Sequence, residues 1–270
     1  MKKVLNIMFI VFLSLIVYSC SNSARSFDIS KVSTMKSIKD YSGRYSLNQM
    51  DVVRFGSYPQ SDIDGNNTEP IEWIVLDKQE NKALLLSKKI IDYEAYGDSV
   101  RNYIDGKRNL WKNSDIREWL NNDFFYKAFR ANEQLMVLNT LLVNNNEKSG
   151  ILNEESTEDK VFLLSADEAK QYFAPLQTEY RVYNGDNDVE CLYSDKLKAE
   201  YTNYVTNRFE SNDKSCDWWL RTPEFYNNFS GDTLLGASYI DYDGIIEQDG
   251  YNVDAVLNVK GVRPALWVKY

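Results

Sequence analysis

Unbroken apolar runs in the first third of the chain predict a buried β-hairpin. Ile71–Leu76 and Ala83–Ser87 are apolar at nearly every position, and the polar segment Asp77–Lys82 separates them. Two such runs around a polar loop are typical of antiparallel strands, and the lack of alternation indicates burial on both faces. A shorter strand predicted over Val52–Phe55 precedes them and ends at Tyr58-Pro59. We therefore expect the hairpin to be central to a sheet.

Two helices are predicted from their first residues. Ser114 precedes apolar residues at helical spacing and can act as an N-cap. Ser165 and Glu168 form a capping-box pattern, which predicts a second helix that continues through Phe173. The apolar side of the first helix is formed by Ile116, Trp119, Leu120, Phe124, Phe125, Ala128 and Phe129. Such a stripe is more typical of a core-facing helix than of a cofactor site.

Other segments give weaker signals. Val161–Leu164 is apolar and predicts a strand, whereas Leu135–Val143 fits a helix and a strand equally well. Clustered Asn and Glu predict a loop over Asn144–Asp159. Tyr180–Ser215 is polar and rich in Tyr, and we interpret it as a loop insertion with some helix around Leu197–Phe209.

Two apolar segments near the C-terminus predict two further strands of the same core. Cys216–Pro223 contains the adjacent Trp218 and Trp219, and Gly261–Trp267 follows the polar segment Glu224–Val259. Neighbouring residues of a strand point to opposite faces, so we expect at least one of the two tryptophans in the core. The segment between them is rich in Asn, Asp, Gly and Tyr and is predicted to be loop-like.

The N-terminus has the pattern of an export signal. Lys2 and Lys3 precede the apolar run Val4–Tyr18, whose length fits a secretory signal core better than a membrane span. The run ends in Ser19-Cys20, which resembles the cleavage site of bacterial lipoproteins. An ordinary signal peptide or an uncleaved anchor is the alternative.

These boundaries divide the chain into three parts. Residues 1–19 are predicted to be the signal peptide. Residues 20–47 comprise a lipidated Cys20 and a flexible tether, since the stretch is Ser-rich and weakly patterned. Residues 48–270 are predicted to form a single globular α+β domain with short strands and a few helices.

Composition and charge exclude several classes of function. The chain is 43% hydrophobic, which is enough for a full core, and its formal net charge is −9. The acidic balance and the lack of a basic stripe argue against binding to nucleic acid. The sequence contains no His, which removes His-dependent nucleophilic triads and His-ligated metal sites.

Cys191 and Cys216 are the thiols that remain after lipidation of Cys20. An even pair in an exported protein predicts one disulfide. Two buried reduced thiols are the main alternative, and catalytic or metal-binding cysteines are a third.

Charged and aromatic residues near the C-terminus are predicted to be mainly structural. Arg221 and Arg263 lie in apolar surroundings, where a guanidinium needs a carboxylate or carbonyl partners. We group them with Trp218, Trp219 and Pro264 as structural residues, and anion binding by one arginine is the alternative.

A ligand surface is predicted within Glu224–Val259, because Tyr offers rigid contact area and Asn and Asp adapt their hydrogen bonds. Asp241 and Asp243 fit turn acids better than a catalytic pair. The acidic stretch Asp62–Asn67 does not match an EF-hand loop, so we expect no metal and no cofactor. The candidate contact residues are Tyr226, Asn227, Asn228, Tyr239, Asp241, Tyr242, Asp243, Tyr251 and Asn252.

Several ordered motifs resemble a bacterial family described as domain of unknown function 6273, over roughly Met50 to Val268. More distantly, the closing Gly261–Ala265 segment resembles the end of C-type-lectin-like domains of the sulfatase-modifying (formylglycine-generating) type. That resemblance implies a C-type-lectin-like fold, but no pair of cysteines here matches the active-site spacing of those enzymes. The motifs of the first resemblance are Phe55–Gln60, Ile71–Trp73, Leu84–Ser87, Trp111, Ser114–Asn121, Val161–Ser165, Trp218–Pro223, Ala237–Gly244 and Gly261–Leu266.

Together these features predict an exported bacterial lipoprotein, anchored to a membrane by its N-terminal lipid, in the outer membrane or in the outer leaflet of the cytoplasmic membrane. Its expected role is to bind an extracellular glycan, peptide or protein through irregular loops. An enzyme of the formylglycine-generating type and a purely structural envelope protein are the alternatives.

Overall fold

A computed structural model describes residues 51–61, 64–79, 82–97, 110–144, 156–182, 188–209, 216–227, 233–247 and 259–269. Strands predominate over helices in these residues, and the mixture is that of an α+β domain, as predicted. The predicted signal peptide, Cys20 and tether lie outside the described residues.

The first sheet is built around the predicted hairpin. Its order is β1-β2-β3-β13, and β2 and β3 pair antiparallel. Tyr58 is the last residue of β1, so the predicted end of that strand is confirmed. Both faces of β3 are buried, as its unbroken apolar pattern indicated. The strands are β1 (Val52–Tyr58), β2 (Glu69–Gln79), β3 (Lys82–Ser87) and β13 (Ala265–Lys269).

The second sheet contains the tryptophan pair and has the order β11-β10-β9-β12-β4. β9 and β10 form an antiparallel hairpin in which Asn227 pairs with Thr233. The expectation of a loop over Glu224–Val259 is therefore wrong for this part, because cross-strand pairing holds a polar, Gly-containing stretch extended. The strands are β4 (Asp92–Ala95), β9 (Trp218–Asn227), β10 (Thr233–Ile240), β11 (Ile246–Glu247) and β12 (Val259–Val262).

The two sheets are joined where β3 runs into β4 and β12 runs into β13. The crossings lie side by side, since the Ser87 N–H donates to Pro264 O and the Ile91 N–H donates to Val262 O. Gly261 permits this close approach, because a Cβ there would lie 2.8 Å from the Ile90 side chain. Of the two C-terminal segments predicted to share a core, Cys216–Pro223 lies at β9, and Gly261–Trp267 contributes β12 to the same sheet and β13 to the first sheet. Residues of both segments belong to one buried cluster, as expected.

The predicted helix starts are confirmed at both positions. Ser114 accepts the Arg117 N–H at the first turn of α1, and Ser165 and Glu168 form a reciprocal capping box on α4. Between α1 and α2 the chain makes a π-helical turn, Leu120–Phe124. The helices are α1 (Asp115–Trp119), α2 (Phe125–Ala128), α3 (Ala131–Gln134), α4 (Ala166–Phe173) and α5 (Asn203–Phe209), with a 3-10 turn at Trp111–Asn113.

After α3 the chain contacts the free edge of β13 twice, and a short β-strand pair lies between the two contacts. Val137 forms a bridge with Val268, the chain then forms the β5–β6 pair, and Phe162 forms a bridge with Ala265. Val161–Leu164 is therefore buried and contributes a single bridge rather than the predicted strand. The ambiguous segment Leu135–Val143 contains a short strand, and the predicted loop before Lys160 ends in another, namely β5 (Thr140–Leu142) and β6 (Thr157–Asp159).

The predicted loop insertion Tyr180–Ser215 begins within a β-hairpin, so that prediction is wrong at its start. β7 (Gln177–Val182) pairs antiparallel with β8 (Asp188–Tyr193). Gln177–Arg181 is polar at most positions, so the sequence lacks the apolar run that would indicate a buried strand. The helix expected near Leu197–Phe209 is present in its second half as α5.

Both tryptophans are buried, and they point to opposite faces of β9. Trp218 donates its indole N–H to Leu197 O, and Trp219 donates to Glu94 O. Each is 0% exposed, because both faces of the second sheet are covered. Both belong to one buried apolar cluster that takes in residues of both large sheets.

Candidate functional site

The structure describes six of the nine residues predicted to form the ligand surface. Tyr226 and Asn227 lie at the end of β9, whereas Asn228, Tyr251 and Asn252 lie outside the described residues. Of the others, Tyr242 is 58% exposed and Tyr239 is 8% exposed. Tyr239 faces the protein interior, where Lys260 Nζ lies 3.9 Å from its ring centroid.

Asp241 and Asp243 lie in a tight turn after β10 rather than along a strand. The carboxylate of Asp241 accepts the N–H groups of Asp243 and Ile245, at 2.9 and 2.8 Å. Gly244 completes the turn with φ of +82°, and a Cβ there would lie 2.3 Å from Ser194 O. The buried Asp241 carboxylate therefore holds the turn, which is the role expected of a turn acid rather than of a ligand contact.

The structure gives Arg221 a set of internal partners. Its guanidinium donates to Glu168 Oε1 at 2.8 Å and to Leu163 O at 2.8 Å, and its Nε donates to Asn144 Oδ1 at 3.2 Å. Glu168 also caps α4 through the Ser165 N–H. This carboxylate thus serves the helix and the arginine together.

Arg263 is buried at the crossing between the two sheets. Its Nε donates to Ser87 O at 2.8 Å, and the guanidinium lies 5.1 Å from the Trp218 ring centroid and 5.7 Å from that of Phe173. Burial lowers the pKa of Arg263 to about 9. Its Nη1 has no hydrogen-bond partner in the described part of the chain. With buried Pro264 beside it, Arg263 lies in the structural setting that we expected.

The two cysteines are free, buried thiols, so the predicted disulfide is not present in the structure. Cys191 lies on β8, whereas Cys216 precedes β9 and its Sγ lies 3.6 Å from the Tyr93 hydroxyl. Burial raises the pKa of the Cys216 thiol, although its hydrogen bonds with Tyr201 and Tyr93 act in the opposite direction. A thiol with a raised pKa is a poor nucleophile at neutral pH.

A polar cleft of about 410 Å³ lies beside the π-helical turn and is the candidate functional site. One side is formed by the 3-10 turn, α1, the π-helical turn and α2, and the other by Asn139 and the end of β6. We call it the π-turn cleft, and it is lined by Lys112, Asn113, Ser114, Arg117, Glu118, Asn121, Asn122, Tyr126, Asn139, Glu158, Asp159 and Lys160.

The floor of the π-turn cleft is fixed by the buried carboxylate of Asp159. Its Oδ1 accepts Arg117 Nε at 2.7 Å, and its Oδ2 accepts the indole N–H of Trp111 at 2.9 Å and the hydroxyl of Thr157 at 2.7 Å. Arg117 also donates from Nη1 to Lys112 O. Hydrogen bonds to an ionised group are stronger than those between neutral groups, so this network holds α1 firmly against β6.

Asn121 forms the second link between the helical side and the strand side of the cleft. Its Nδ2 donates to Arg117 O and Val161 O, and its Oδ1 accepts the N–H groups of Lys160 and Val161. The amide therefore pairs with the chain after β6 much as a strand would. π-helical turns are rare and are frequently found at functional sites.

The charges that line the π-turn cleft balance. Lys112, Lys160, Glu118 and Glu158 remain around the internal Arg117–Asp159 pair. Lys160 Nζ lies over the Phe125 ring at 4.4 Å. Asn113, Asn122, Asn139 and the 62% exposed Tyr126 add amide and phenol groups at the rim. The cleft therefore offers both donors and acceptors without a dominant charge.

A second cleft, of about 440 Å³, lies between β2 and the start of α5. Its charged rim is occupied by ion pairs, since Glu72 contacts Arg54 and Lys88, and Lys89 contacts Glu200. The hydrogen bond from Lys88, followed by that from Arg54, lowers the pKa of Glu72. Because these rim charges already pair with one another, the π-turn cleft is the better candidate.

Within the described ranges, no cluster of three or more His, Cys, Asp or Glu side chains could hold a metal ion. The same part of the chain has no helix long and apolar enough to cross a bilayer.

The architecture and the cleft define a strand-rich α+β domain with a polar surface site. The chain belongs to the family described as "Domain of unknown function (DUF6273)", whose model matches residues 80–270. The family resemblance predicted from the motifs is thereby confirmed, although β1 and β2 precede the matched range. Comparison with curated proteins and with solved structures finds no match.

The π-turn cleft was not predicted as a site from the sequence. Its helical wall coincides with Trp111 and Ser114–Asn121, the motif that carries part of the family resemblance and predicts a helix. Asp159 and Asn139 lie in segments interpreted as a loop or left open. One signal for the site was present in the sequence. The motif combines an apolar helix face with residues that carry polar groups, namely Trp111, Arg117 and Asn121.

Proposed function

We propose that the protein is an exported, lipid-anchored binding module that takes a saccharide-like, polyhydroxylated ligand in the π-turn cleft. The observation that carries this proposal is the cleft itself. Amide and charged groups line it, and hydrogen bonds of Asp159 and Asn121 hold its helical side against its strand side. Its volume of about 410 Å³ lies in the range of small-molecule sites, roughly 300 to 1,000 Å³.

The chemistry of the lining favours a ligand that both donates and accepts hydrogen bonds. Asn side chains present a carbonyl and an amino group side by side, which matches adjacent hydroxyl groups. Tyr126 offers an exposed ring with a polar tip, suited to the less polar face of a sugar ring. Balanced charges give no preference for a strongly anionic or cationic ligand.

An array of glycans and peptides probed with the purified mature protein tests the ligand class. The proposal predicts retention on a subset of glycans that is abolished by Asn122→Ala, whose side chain is exposed at the cleft. Retention on peptides alone would overturn the saccharide assignment.

Anchoring rests on the predicted cleavage at Cys20 after a short apolar core. Detergent phase partitioning should move Cys20→Ala to the aqueous phase, whereas Ser21→Ala should stay with the detergent. Partitioning of Cys20→Ala like the unaltered protein, with a mature N-terminus elsewhere, would remove lipid anchoring from the proposal.

The enzyme alternative would need accessible, reactive thiols. Burial of Cys191 and Cys216, at 6% and 5% exposure, speaks against such a pair. A chromogenic thiol reagent at pH 8 should label both residues slowly in the folded protein and rapidly in denaturant. Rapid labelling of both in the folded protein would favour the formylglycine-generating type of enzyme.

The proposed fold is of the C-type-lectin-like class. The buried Gly261–Ala265 segment next to the sheet crossing supports it. An experimental structure superposed on that class provides the test, since a different strand connectivity would remove this assignment. A purely structural envelope protein is the remaining alternative, and it would give no specific retention on the array.

A further inference from the structure

A buried lysine and a carboxylate are held together beside the Asp241–Gly244 turn. Lys260 is 3% exposed, and its Nζ lies 2.8 Å from Asp217 Oδ2. The Asp217 side chain is 30% exposed. Residues 217 and 260 are adjacent in space because the Gly261 N–H donates to Asp217 O at 2.9 Å. The backbone therefore fixes the position of both side chains.

Aromatic rings enclose the amine of this pair. Lys260 Nζ lies 3.9 Å from the Tyr239 ring centroid and 5.5 Å from that of Trp219. Tyr239 and Trp219 are 8% and 0% exposed, so bulk water has little access to Nζ from their side. Closely held groups that are shielded from water react far faster than the same groups free in solution.

A hydrogen bond to its other oxygen also orients the carboxyl group of Asp217. Oδ1 accepts the backbone N–H of Tyr242 at 3.0 Å. An N–H placed on that oxygen can stabilise the negative charge that develops there when an amine adds to the carboxyl carbon. Nζ, next to Oδ2, is in a position to reach that carbon.

A second carboxylic acid faces the pair from the neighbouring strand. Glu94 on β4 is directly opposite Lys260 in the antiparallel β4–β12 ladder. Side chains at opposite positions have Cβ atoms about 4.5 to 5.5 Å apart. The Glu94 backbone is anchored by Trp219, whose indole N–H donates to its carbonyl at 2.9 Å. Glu94 is thus placed to carry a proton between the reacting groups.

We propose that Lys260 and Asp217 condense to an intramolecular amide, a spontaneous isopeptide crosslink. A proton passes from the Lys260 ammonium to the Asp217 carboxyl, and the free amine adds to Cγ. Glu94 takes the second amine proton and delivers it to the departing hydroxyl. The C–N bond forms, one C–O bond breaks and one water leaves, so no oxidant or cofactor is consumed.

The crosslink would join positions 43 residues apart in the chain. It would fasten β12 to the residue before β9 and hold the Asp241–Gly244 turn through the Tyr242 N–H. Such a bond suits an exported protein because it resists both unfolding and reduction. The proposal is independent of the π-turn cleft.

Mass spectrometry of tryptic peptides from the purified mature protein tests the crosslink. The expected product joins Ser215–Arg221 to the peptide that contains Lys260, without cleavage after Lys260 and with the loss of one water. Lys260→Arg keeps the charge and cannot form the amide, so both peptides should appear separately at full mass. Asp217→Asn should give a crosslink that has lost ammonia instead of water.

Glu94→Gln tests the proton carrier, and the proposal predicts a large uncrosslinked fraction in this variant. Near-UV dichroism checks that each variant is folded. Complete cleavage after Lys260 in the unaltered protein, with Ser215–Arg221 at full mass, would overturn the proposal. Loss of water in Lys260→Arg as well would also overturn it, because the modification would then lie elsewhere.

Discussion

Asp159 is a single buried acceptor that receives hydrogen bonds from three side chains. Trp111 and Arg117 reach it from residues 48 and 42 positions away, and Thr157 from its own strand. Removing the carboxylate leaves the buried indole N–H of Trp111 and half-buried Arg117 without this partner. Loss of a buried charged acceptor is among the more costly single changes.

We therefore expect Asp159→Ala to lower the free energy of unfolding by about 2 to 4 kcal/mol. The matched control is the neighbouring exposed Glu158→Ala, which should change stability by no more than about 0.5 kcal/mol. Urea unfolding at pH 7 provides the measurement. Equal losses in the two variants would show that Asp159 does not hold the wall.

Tyr58 makes the free energy of unfolding depend on pH in the alkaline range. Its hydroxyl donates to Asp92 Oδ2 at 2.6 Å, and burial, followed by the charge of Asp92, raises its pKa well above the ordinary value of 10.0. Burial also raises the pKa of Tyr93 and brings that of Tyr172 to about 12. The neutral phenols contribute fully below pH 10, and their contribution is lost as the pH rises further.

Above pH 10 we expect the free energy of unfolding to fall by up to about 1.4 kcal/mol per pH unit for each such tyrosine. Tyr58→Phe should reduce this slope, whereas Tyr126→Phe, at an exposed position, should keep it. The lowered pKa of Arg263 contributes a slope of opposite sign above pH 9 in every variant. Chemical denaturation at a series of pH values measures the slopes, and identical slopes for the two variants would contradict the assignment.

At the scale of elements, the π-helical turn owes its place to one amide. Asn121 uses both donors and its acceptor oxygen to bind the chain at Lys160 and Val161 and the carbonyl of Arg117. Asp at this position keeps the acceptors but has no N–H, so it would place a carboxylate oxygen against two carbonyl oxygens.

Asn121→Asp should therefore cost about 2 to 3 kcal/mol of stability. Asn122→Asp makes the same chemical change one residue later at an exposed position and should stay within about 0.5 kcal/mol. Thermal and urea unfolding of the two variants give the comparison. A cost at Asn122 as large as that at Asn121 would mean that added charge, rather than the lost donor, is responsible.

Elements with local signals could be predicted from the sequence, and elements held by distant partners could not. Ser114 and the Ser165–Glu168 box marked their helices because capping involves residues three positions apart. The β2–β3 hairpin was visible because burial on both faces requires unbroken apolar runs. The β7–β8 and β9–β10 hairpins are partly polar, and their pairing depends on neighbours that composition does not reveal.

At the scale of the whole molecule, the α+β class followed from the mixture of patterns, but the assembly of two sheets did not. The two sheets are connected where the backbone of Ser87 forms hydrogen bonds with Arg263 and Pro264. Arg263 lies 176 residues beyond Ser87 in the chain. No local pattern links these residues. The same reason explains the site: the predicted ligand surface followed composition along one segment, whereas the π-turn cleft combines helices with β6.

The central claim is that the π-turn cleft binds the ligand, and two exposed tyrosines allow a matched test. Tyr126 lies at the cleft and is 62% exposed, whereas Tyr242 lies on the turn of the originally predicted surface and is 58% exposed. The decisive measurement is the dissociation constant of a glycan retained on the array, for Tyr126→Ala and Tyr242→Ala. Loss of about 1 to 3 kcal/mol of binding free energy at Tyr126, roughly a fivefold or larger weakening, with unchanged binding at Tyr242, is the predicted result. Unchanged binding by Tyr126→Ala together with loss of binding by Tyr242→Ala would contradict the account and place the site on the turn.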